Sequence, residues 1–216
     1  MSQAVAPQPR VLADLVPGAR TRDVALTLGG TAFIAIFAQL IIPLPFTPVP
    51  ITLSSFAVVM TGAALGAWRG GLSVLLYVAI GMAGAPVYGD GGSGWAFASF
   101  GYILAYVPAA IVAGRLAQRG HDQRPVHMFG IVALASAIVY VTGVPWLMGF
   151  TGFDFGEAMA KGVLPFLLGD TLKAIVIAGL LPSAWQLVGR FSRGLFTPAT
   201  PHGSGAQRRV QGGHRR

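Results

Sequence analysis

Cysteine is absent from the 216 residues of the chain, which excludes disulfide bonds, thiolate metal sites and a cysteine nucleophile. Charge is also scarce, because Asp, Glu, Lys and Arg together make up 10% of the sequence, against about 25% in soluble domains. No polar stretch is long enough for a separate soluble domain, which needs about 50 residues. Apolar residues are abundant instead: hydrophobic types reach 54% and the mean hydropathy is +0.66. This composition indicates a single domain embedded in lipid.

Charged residues divide the chain into apolar stretches that can cross a membrane. A helix needs about 20 apolar residues to cross about 30 Å of hydrocarbon, and it tolerates few charges. The segment between Asp23 and Arg69 has no charge and is long enough for two spans, with prolines at 43, 45, 48 and 50 between them. The pattern predicts six helices, over residues 24–42, 51–67, 70–86, 95–114, 126–148 and 163–189.

The arginines favour six spans over five. They occur near the N-terminus up to Arg22, at Arg69, over residues 115–124 and from Arg190 onward. With six spans these four regions lie on one side of the membrane, which the positive-inside rule makes cytoplasmic. Five spans would place the arginine-rich C-terminal tail outside. We therefore predict an all-α membrane protein with six transmembrane helices and both termini in the cytoplasm.

The two ends of the chain differ from its apolar centre. Residues 1–23 contain prolines and arginines without the apolar core of a signal peptide, so we predict a cytoplasmic tail. Residues 24–190 form the transmembrane domain, and residues 191–216 form a basic cytoplasmic tail that is predicted to be disordered. The net charge of +8 is explained by topology and by attraction to anionic lipid, so no nucleic-acid partner is expected.

Two polar features are weak evidence for chemistry. The glycine-rich segment 89–94 lacks the Lys and the Ser or Thr of a phosphate-binding loop, and it is predicted to be a flexible outer connection. His121 and His127 are six residues apart without a thiol or carboxylate at ligand spacing, so no metal or other cofactor is expected. The apolar stretches also lack a nucleophile with a base and an aspartate pair, so we do not expect an enzyme.

A carboxylate and an amine lie in the last apolar stretch. Asp170 and Lys173 are three residues apart, so they share one face of a helix, where both are costly to bury. One interpretation is a structural ion pair, and the other is a ligand site. At about 1.5 Å per residue from Val163, both residues lie about 10–15 Å below the outer surface. The fourth predicted helix brings three more residues to a similar depth: Ser99, Gly101 and Tyr102. Under the second interpretation these residues line a pocket that opens outward.

Four segments together resemble one known family. They read TPVPIT at 47–52, GAALGAWRGGLSVLLYVAIGMAGAPVY at 62–88, GY at 101–102 and PFLLGDTLK at 165–173. The combination resembles BioY, the substrate-binding S component of energy-coupling-factor (ECF) biotin transporters, over residues 24–190. The resemblance implies high-affinity biotin binding at the outer side of the bacterial cytoplasmic membrane. It also implies delivery through a transmembrane T component and two cytoplasmic ATPases.

The family's motifs are matched in part. Its GDxxK pattern falls on Gly169, Asp170 and Lys173, and its GPTGGY segment falls on residues 97–102. There this chain reads FASFGY, so Gly101 and Tyr102 are the two residues retained. The departure alters the segment expected to shape the pocket floor. An S component for another small vitamin therefore stays open as an alternative, as does a structural membrane protein without transport activity.

The chemistry of biotin suggests how the predicted site would bind it. The ureido ring of biotin has two N–H donors and one carbonyl acceptor, so Asp170 is expected to accept from the ring N–H groups. Lys173 is expected to donate either to the ureido carbonyl or to the valerate carboxylate. Tyr102 and Tyr88 are expected to cover the apolar bicycle, and the proline-rich loop 43–50 to act as a lid.

The first predicted helix carries small residues at the spacing that allows close approach of helices. The pairs are Ala25 with Gly29 and Thr31 with Ala35. This face is expected either to dock on a T component or to pack internally. The chain has no Walker motif, so ATP would be used only by partner ATPases. The sequence is compatible with three modes of transport: by the chain alone, by a homo-oligomer, or together with ECF partners.

Overall fold

The computed structural model describes residues 11–15 and 20–195, and this part of the chain is almost entirely helical. Its helices are α1 (Arg20–Ala38), α2 (Ser54–Met82), α3 (Phe100–Ala117), α4 (Pro125–Thr151), α5 (Phe155–Gly162) and α6 (Leu164–Leu195). Two short antiparallel strands connect α1 to α2, namely β1 (Ile41–Ile42) and β2 (Ile51–Thr52). The tails predicted for 1–23 and 191–216 lie largely outside the described residues.

Five helical stretches of the described chain are long and apolar enough to cross a membrane. They are Arg20–Ala38, Ser54–Met82, Phe100–Ala117, Pro125–Thr151 and Phe155–Val188. Large apolar side chains on these stretches point away from the bundle, and Leu168 and Val126 are 82% and 81% exposed. Such a surface is stable in lipid and would aggregate in water. The prediction of an all-α chain with several apolar spanning helices is confirmed.

The helix α2 is broken at Gly66. This residue has φ 86° and ψ 171°, a conformation that glycine adopts at little cost and other residues avoid. A Cβ added to Gly70 would lie 2.7 Å from the Cα of Gly62, although eight residues of continuous helix rise about 12 Å. The chain therefore reverses at Gly66, and the arms 54–65 and 67–82 run side by side. The predicted break at 68–69 is wrong by a few residues, because a single glycine is sufficient for the turn.

Backbone contacts between α2 and α3 depend on small residues. A Cβ added to Gly62 would meet the carbonyl oxygen of Ala110, and one added to Gly114 would meet the backbone of Gly66 and Ala67. At these points the helices touch with no side chain between them. Close approach of this kind is typical of helix packing in membranes, where small residues maximise van der Waals contact.

Three clusters of buried apolar side chains make up the core. The first contains Val11, Met128 and Leu181, so the segment before α1 belongs to the same cluster as residues of α4 and α6. The second joins α1, α2 and α3, and the third joins the α1–α2 connection to α4, α5 and α6. The residues around Val11, predicted to belong to a tail, therefore begin the folded core.

One end of the bundle carries most of the charged contacts. The Arg69 guanidinium bonds to the carboxylates of Asp14 at 3.1 Å and Asp23 at 3.0 Å, which fixes the N-terminal segment to the second arm of α2. The turn at Gly66 approaches the side chain of Gln118, at the end of α3. We call this end, which includes Arg69, Gln118 and the α3–α4 connection, the arginine end.

A buried carboxyl group lies in the α3–α4 connection. Asp122 is fully buried, and its Oδ2 accepts a hydrogen bond of 2.6 Å from Nε1 of Trp185 on α6. Its Oδ1 has no partner among the described residues. Burial raises the pKa of Asp122 above its usual value, although the bond from Trp185 and the neighbouring His121 act in the opposite direction. Protonation of Asp122 therefore favours the folded state.

We expect the variant Asp122→Asn to keep the Trp185 bond through its amide oxygen while losing a pH-dependent contribution to stability. In the wild type this contribution is fully present below the ordinary pKa of 3.8, and it is lost as the pH rises through the raised pKa of the folded state. Thermal unfolding in detergent across a pH series measures the effect. The wild type should lose stability relative to the variant as the pH rises above about 4, and parallel curves would contradict this.

Candidate functional site

A cavity of about 340 Å³ lies at the end of the bundle opposite the arginine end. Its walls come from α2, α3, α4 and α6. Val49 and Pro50 of the α1–α2 connection cover it, together with residues of the α2–α3 connection between Tyr88 and Ser99. The volume is within the range of about 300–1,000 Å³ that is typical of small-molecule sites.

An ion pair lines this cavity. Nζ of Lys173 lies 3.3 Å from Oδ1 of Asp170, one turn away on α6. The ammonium also donates to Oγ of Ser55 at 2.9 Å, and the hydroxyl of Tyr140 donates to Oδ2 of Asp170 at 2.6 Å. The pair is therefore positioned by α2 and α4, although both of its members belong to α6.

The ion pair keeps unused hydrogen-bonding capacity. A carboxylate has about four lone-pair positions and an ammonium has three N–H groups. Among the described residues, Asp170 accepts one bond on each oxygen and Lys173 donates two bonds. Two acceptor positions and one donor thus remain for a molecule in the cavity. A purely structural pair gains most when every such position is used.

A second polar group in the cavity consists of three hydroxyls. Oγ1 of Thr52 and Oγ of Ser54 are 2.5 Å apart, and Oγ of Ser54 lies 2.8 Å from the Tyr106 hydroxyl. All three residues line the cavity. This group carries no formal charge, in contrast to the ion pair on α6.

Aromatic rings form much of the apolar wall. The ring of Tyr88 lies 5.3 Å from that of Tyr77 and 5.8 Å from that of Phe97. Burial raises the pKa of Tyr88, in the α2–α3 connection, to about 12, so its hydroxyl is neutral. That hydroxyl donates to the Val78 carbonyl at 2.8 Å. The ring of Tyr88 is therefore held in place as an apolar surface.

Five of the six predicted site residues line the cavity, and Gly101 does not. The five are Ser99, Tyr88, Tyr102, Asp170 and Lys173. A Cβ added to Gly101 would overlap the side chain of Trp146, so this glycine allows α3 to approach α4 and does not approach a ligand. The Tyr102 hydroxyl donates to the Gly162 carbonyl at 3.1 Å, which links α3 to the α5–α6 junction.

The proline-rich loop 43–50, predicted to be a lid, is attached to a helix that the sequence did not predict. Oγ1 of Thr47 donates to the carbonyl oxygen of Lys161 at 2.8 Å. Lys161 belongs to α5, whose first turn is capped by Asp154 through a 2.8 Å bond from the amide of Glu157. The Asp-x-x-Glu pattern at 154–157 is a capping signal that could have revealed this helix.

Sequence reasoning also missed several polar side chains of the cavity. They are Thr52, Ser54, Ser55, Tyr77, Tyr106 and Tyr140. Hydroxyl groups are common in membrane helices, and a single sequence does not reveal which of them face a cavity. Their positions follow from the reversal at Gly66, which brings Ser54 and Tyr77 of α2 to the same end of the bundle.

Comparison with known proteins identifies the family. The BioY family matches residues 8–190 of this chain. A biotin transporter BioY from Rhizobium etli is 37% identical over 169 residues, covering 73% of this chain and 90% of the relative. A probable biotin transporter BioY from Pyrococcus horikoshii is 34% identical over 158 residues, covering 72% and 91%.

A solved structure has the same fold. The crystal structure of the S-component for biotin from an ECF-type ABC transporter superimposes with a TM-score of 0.70 at 25% identity. The match covers 79% of this chain and 95% of the solved one. The similarity thus extends over the whole helical bundle and is not limited to the GDTLK segment. The chain belongs to the BioY family.

Proposed function

We propose that this chain binds biotin at the outer side of the bacterial cytoplasmic membrane and delivers it to the cytoplasm as the S component of an ECF transporter. The observation that carries the proposal is the cavity at Asp170 and Lys173, where hydrogen-bonding capacity remains for a ligand. Relatives named biotin transporters support biotin as that ligand.

The acceptors of Asp170 and the donor of Lys173 suit the polar groups of biotin. Asp170 accepts from the ureido N–H groups, and Lys173 donates to a ligand oxygen. The rings of Tyr88 and Phe97 cover the apolar part of the ligand, since both line the cavity. Charge-assisted bonds of this kind favour a ligand with both donors and acceptors over a purely apolar one.

Equilibrium dialysis of the detergent-solubilised protein with labelled biotin tests the proposal. We expect saturable binding of one biotin per chain that unlabelled biotin displaces. Displacement by another vitamin at lower concentration would favour an S component of different specificity. Absence of any saturable binding by folded protein would favour a structural membrane protein.

We also infer six membrane crossings with both termini in the cytoplasm. Each arm of α2, together with the connection that continues it beyond the helix, would count as one crossing, because the chain reverses at Gly66. Arg69 and the arginines at 115–124 belong to the arginine end, which the positive-inside rule would make cytoplasmic. The cavity at the opposite end would then face the outside, where biotin enters.

We propose that the T component docks on an exposed face of α1 that carries small residues. Ala25 and Gly29 are exposed, and nothing lies within 4 Å of a Cβ added to Gly29. Thr31 is buried instead and donates to the Ser73 carbonyl at 2.9 Å. The predicted pair Thr31 and Ala35 thus packs internally, because Ala35 also contacts the second core cluster.

We expect Gly29→Leu to reduce ATP-driven biotin uptake at least about tenfold, because a bulky side chain prevents close helix approach. Binding of biotin to the isolated variant should be unchanged. Gly130→Leu is the matched control, since Gly130 on α4 is equally exposed and open. Uptake is measured in cells that also produce the T component and ATPases. Normal uptake by the Gly29 variant, or equal loss in both variants, would argue against docking on this face.

A further inference from the structure

The three hydroxyls of Thr52, Ser54 and Tyr106 can be arranged so that one hydrogen is available to a ligand. Two hydrogen bonds connect the three oxygens, whichever atom donates in each. Each hydroxyl carries one hydrogen, so when Thr52 donates to Ser54 and Ser54 donates to Tyr106, the Tyr106 hydrogen can point to a molecule in the cavity. All three residues line the cavity, and a molecule inside it can therefore accept that hydrogen.

Tyr77 supplies a second unused hydroxyl. Its side chain is 1% exposed and lines the same cavity, and its ring packs against Tyr88. Its hydroxyl has no hydrogen-bond partner among the described residues. The only side-chain polar atom in this part of the chain that is both fully enclosed and unpartnered is Oδ1 of Asp122. The Tyr77 oxygen therefore keeps accessible area, and in so buried a residue that area faces the cavity.

We propose that the hydroxyls of Tyr77 and Tyr106 form a second ligand subsite that donates hydrogen bonds to the ureido carbonyl of biotin. This inference rests on the proposed function. The subsite holds two available hydrogens and no formal charge, which suits a neutral carbonyl oxygen with two lone pairs. A carboxylate is better matched by an ammonium, so Lys173 is assigned to the valerate end.

The position of the subsite agrees with the geometry of the ureido group. The ring N–H groups and the carbonyl oxygen belong to one five-membered ring, so their protein partners have to converge on a small volume. Tyr106 on α3 and Asp170 on α6 line the same cavity. Asp170 can then accept from the ring N–H groups while Tyr106 and Tyr77 donate to the carbonyl.

The double variant Tyr77→Phe with Tyr106→Phe tests the assignment, because it removes both hydroxyls and keeps both rings. Three ligands are compared by competition binding: biotin, biotinamide with a neutral amide at the valerate end, and 2-iminobiotin with a guanidinium in place of the urea. We expect affinity for biotin and for biotinamide to fall by the same factor, about tenfold or more. Affinity for 2-iminobiotin should not fall, since its ring has no carbonyl to accept a bond.

Three results would overturn the assignment. The first is an unchanged affinity for biotin. The second is a loss of affinity for biotin but not for biotinamide, which would place the hydroxyls at the carboxylate. The third is an equal loss of affinity for 2-iminobiotin, which would indicate general damage to the cavity. If thermal unfolding shows that the double variant does not fold, the single variants Tyr77→Phe and Tyr106→Phe are compared in the same way. Failure of the wild type to bind biotin would instead contradict the proposed function.

Discussion

Replacing Asp170 by Asn is expected to lower the affinity for biotin at least about tenfold, which corresponds to about 1.4 kcal/mol or more. The amide keeps the shape of the side chain but removes the charge that strengthens acceptance from the ureido N–H groups. The amide oxygen can still accept from Lys173, and the amide nitrogen can donate to the Tyr140 hydroxyl, so the folded protein should survive. Equilibrium dialysis and thermal unfolding without ligand measure the two quantities separately.

A structural ion pair would respond to the same change in another way. Removal of the Asp170 charge would leave Lys173, whose side chain is 12% exposed, without its counter-ion, and stability without ligand would collapse. The double variant Asp170→Asn with Lys173→Met would then restore both stability and binding. Biotin binding by that double variant with full affinity would remove both residues from the proposed site.

Gly114→Val is expected to destabilise the bundle by about 3 kcal/mol or to prevent folding. The added Cβ would overlap the backbone of Gly66 and Ala67, and backbone atoms cannot rotate away as a flexible side chain can. The turn at Gly66 would be displaced, and with it both arms of α2 that line the cavity. Biotin binding should therefore be lost together with stability.

Gly130→Val is the matched control for this substitution. Gly130 also lies inside a long apolar helix, but a Cβ added there has nothing within 4 Å. Both substitutions introduce the same β-branched side chain, so their cost in helix propensity is shared. The difference in thermal unfolding between the two variants in detergent measures the destabilisation caused by the steric overlap alone. Equal unfolding temperatures would show that the α2–α3 contact adjusts at little cost.

The helices could be predicted from the sequence because charges are rare enough to mark their ends. The helix predicted over 126–148 agrees with Pro125–Thr151, where a proline begins the helix and Gly152, with φ 78°, ends it. The helix predicted over 95–114 begins five residues later, at Phe100. Residues 95–99 are apolar enough to continue the pattern, yet they form part of the cavity cover, and hydropathy does not distinguish these two roles.

The α5 helix escaped prediction, whereas the turn at Gly66 was predicted a few residues too late, at 68–69. The α5 segment is short and charged, so a hydropathy pattern assigns it to a loop, and only its Asp154 cap indicates a helix. Arg69 marks the reversal approximately, but a turn at one glycine has no polar residue that fixes its exact position. Gly66 is one of 30 glycines, and only its φ of 86° separates it from those that pack inside helices.

The charged part of the site was predictable, whereas the uncharged part was predicted only in part, through Ser99, Tyr88 and Tyr102. Asp170 and Lys173 stand out because ionisable residues are costly inside an apolar helix. A tyrosine such as Tyr77 or Tyr106 carries no such penalty, and its place in a cavity depends on which elements the fold brings together. Gly101 illustrates the opposite error. It was predicted to belong to the site, next to Tyr102, but it packs against Trp146.

Two hydrogen bonds converge on the junction between α5 and α6, from Thr47 to the Lys161 carbonyl and from Tyr102 to the Gly162 carbonyl. The loop that leads into the cavity cover is thus attached to the end of α5, immediately before the helix that carries Asp170. We expect a bound molecule to leave only after the cover has moved and the Thr47 bond has broken. The dissociation rate constant would then be set by how often the cover opens, and long residence, more than rapid capture, would determine the affinity.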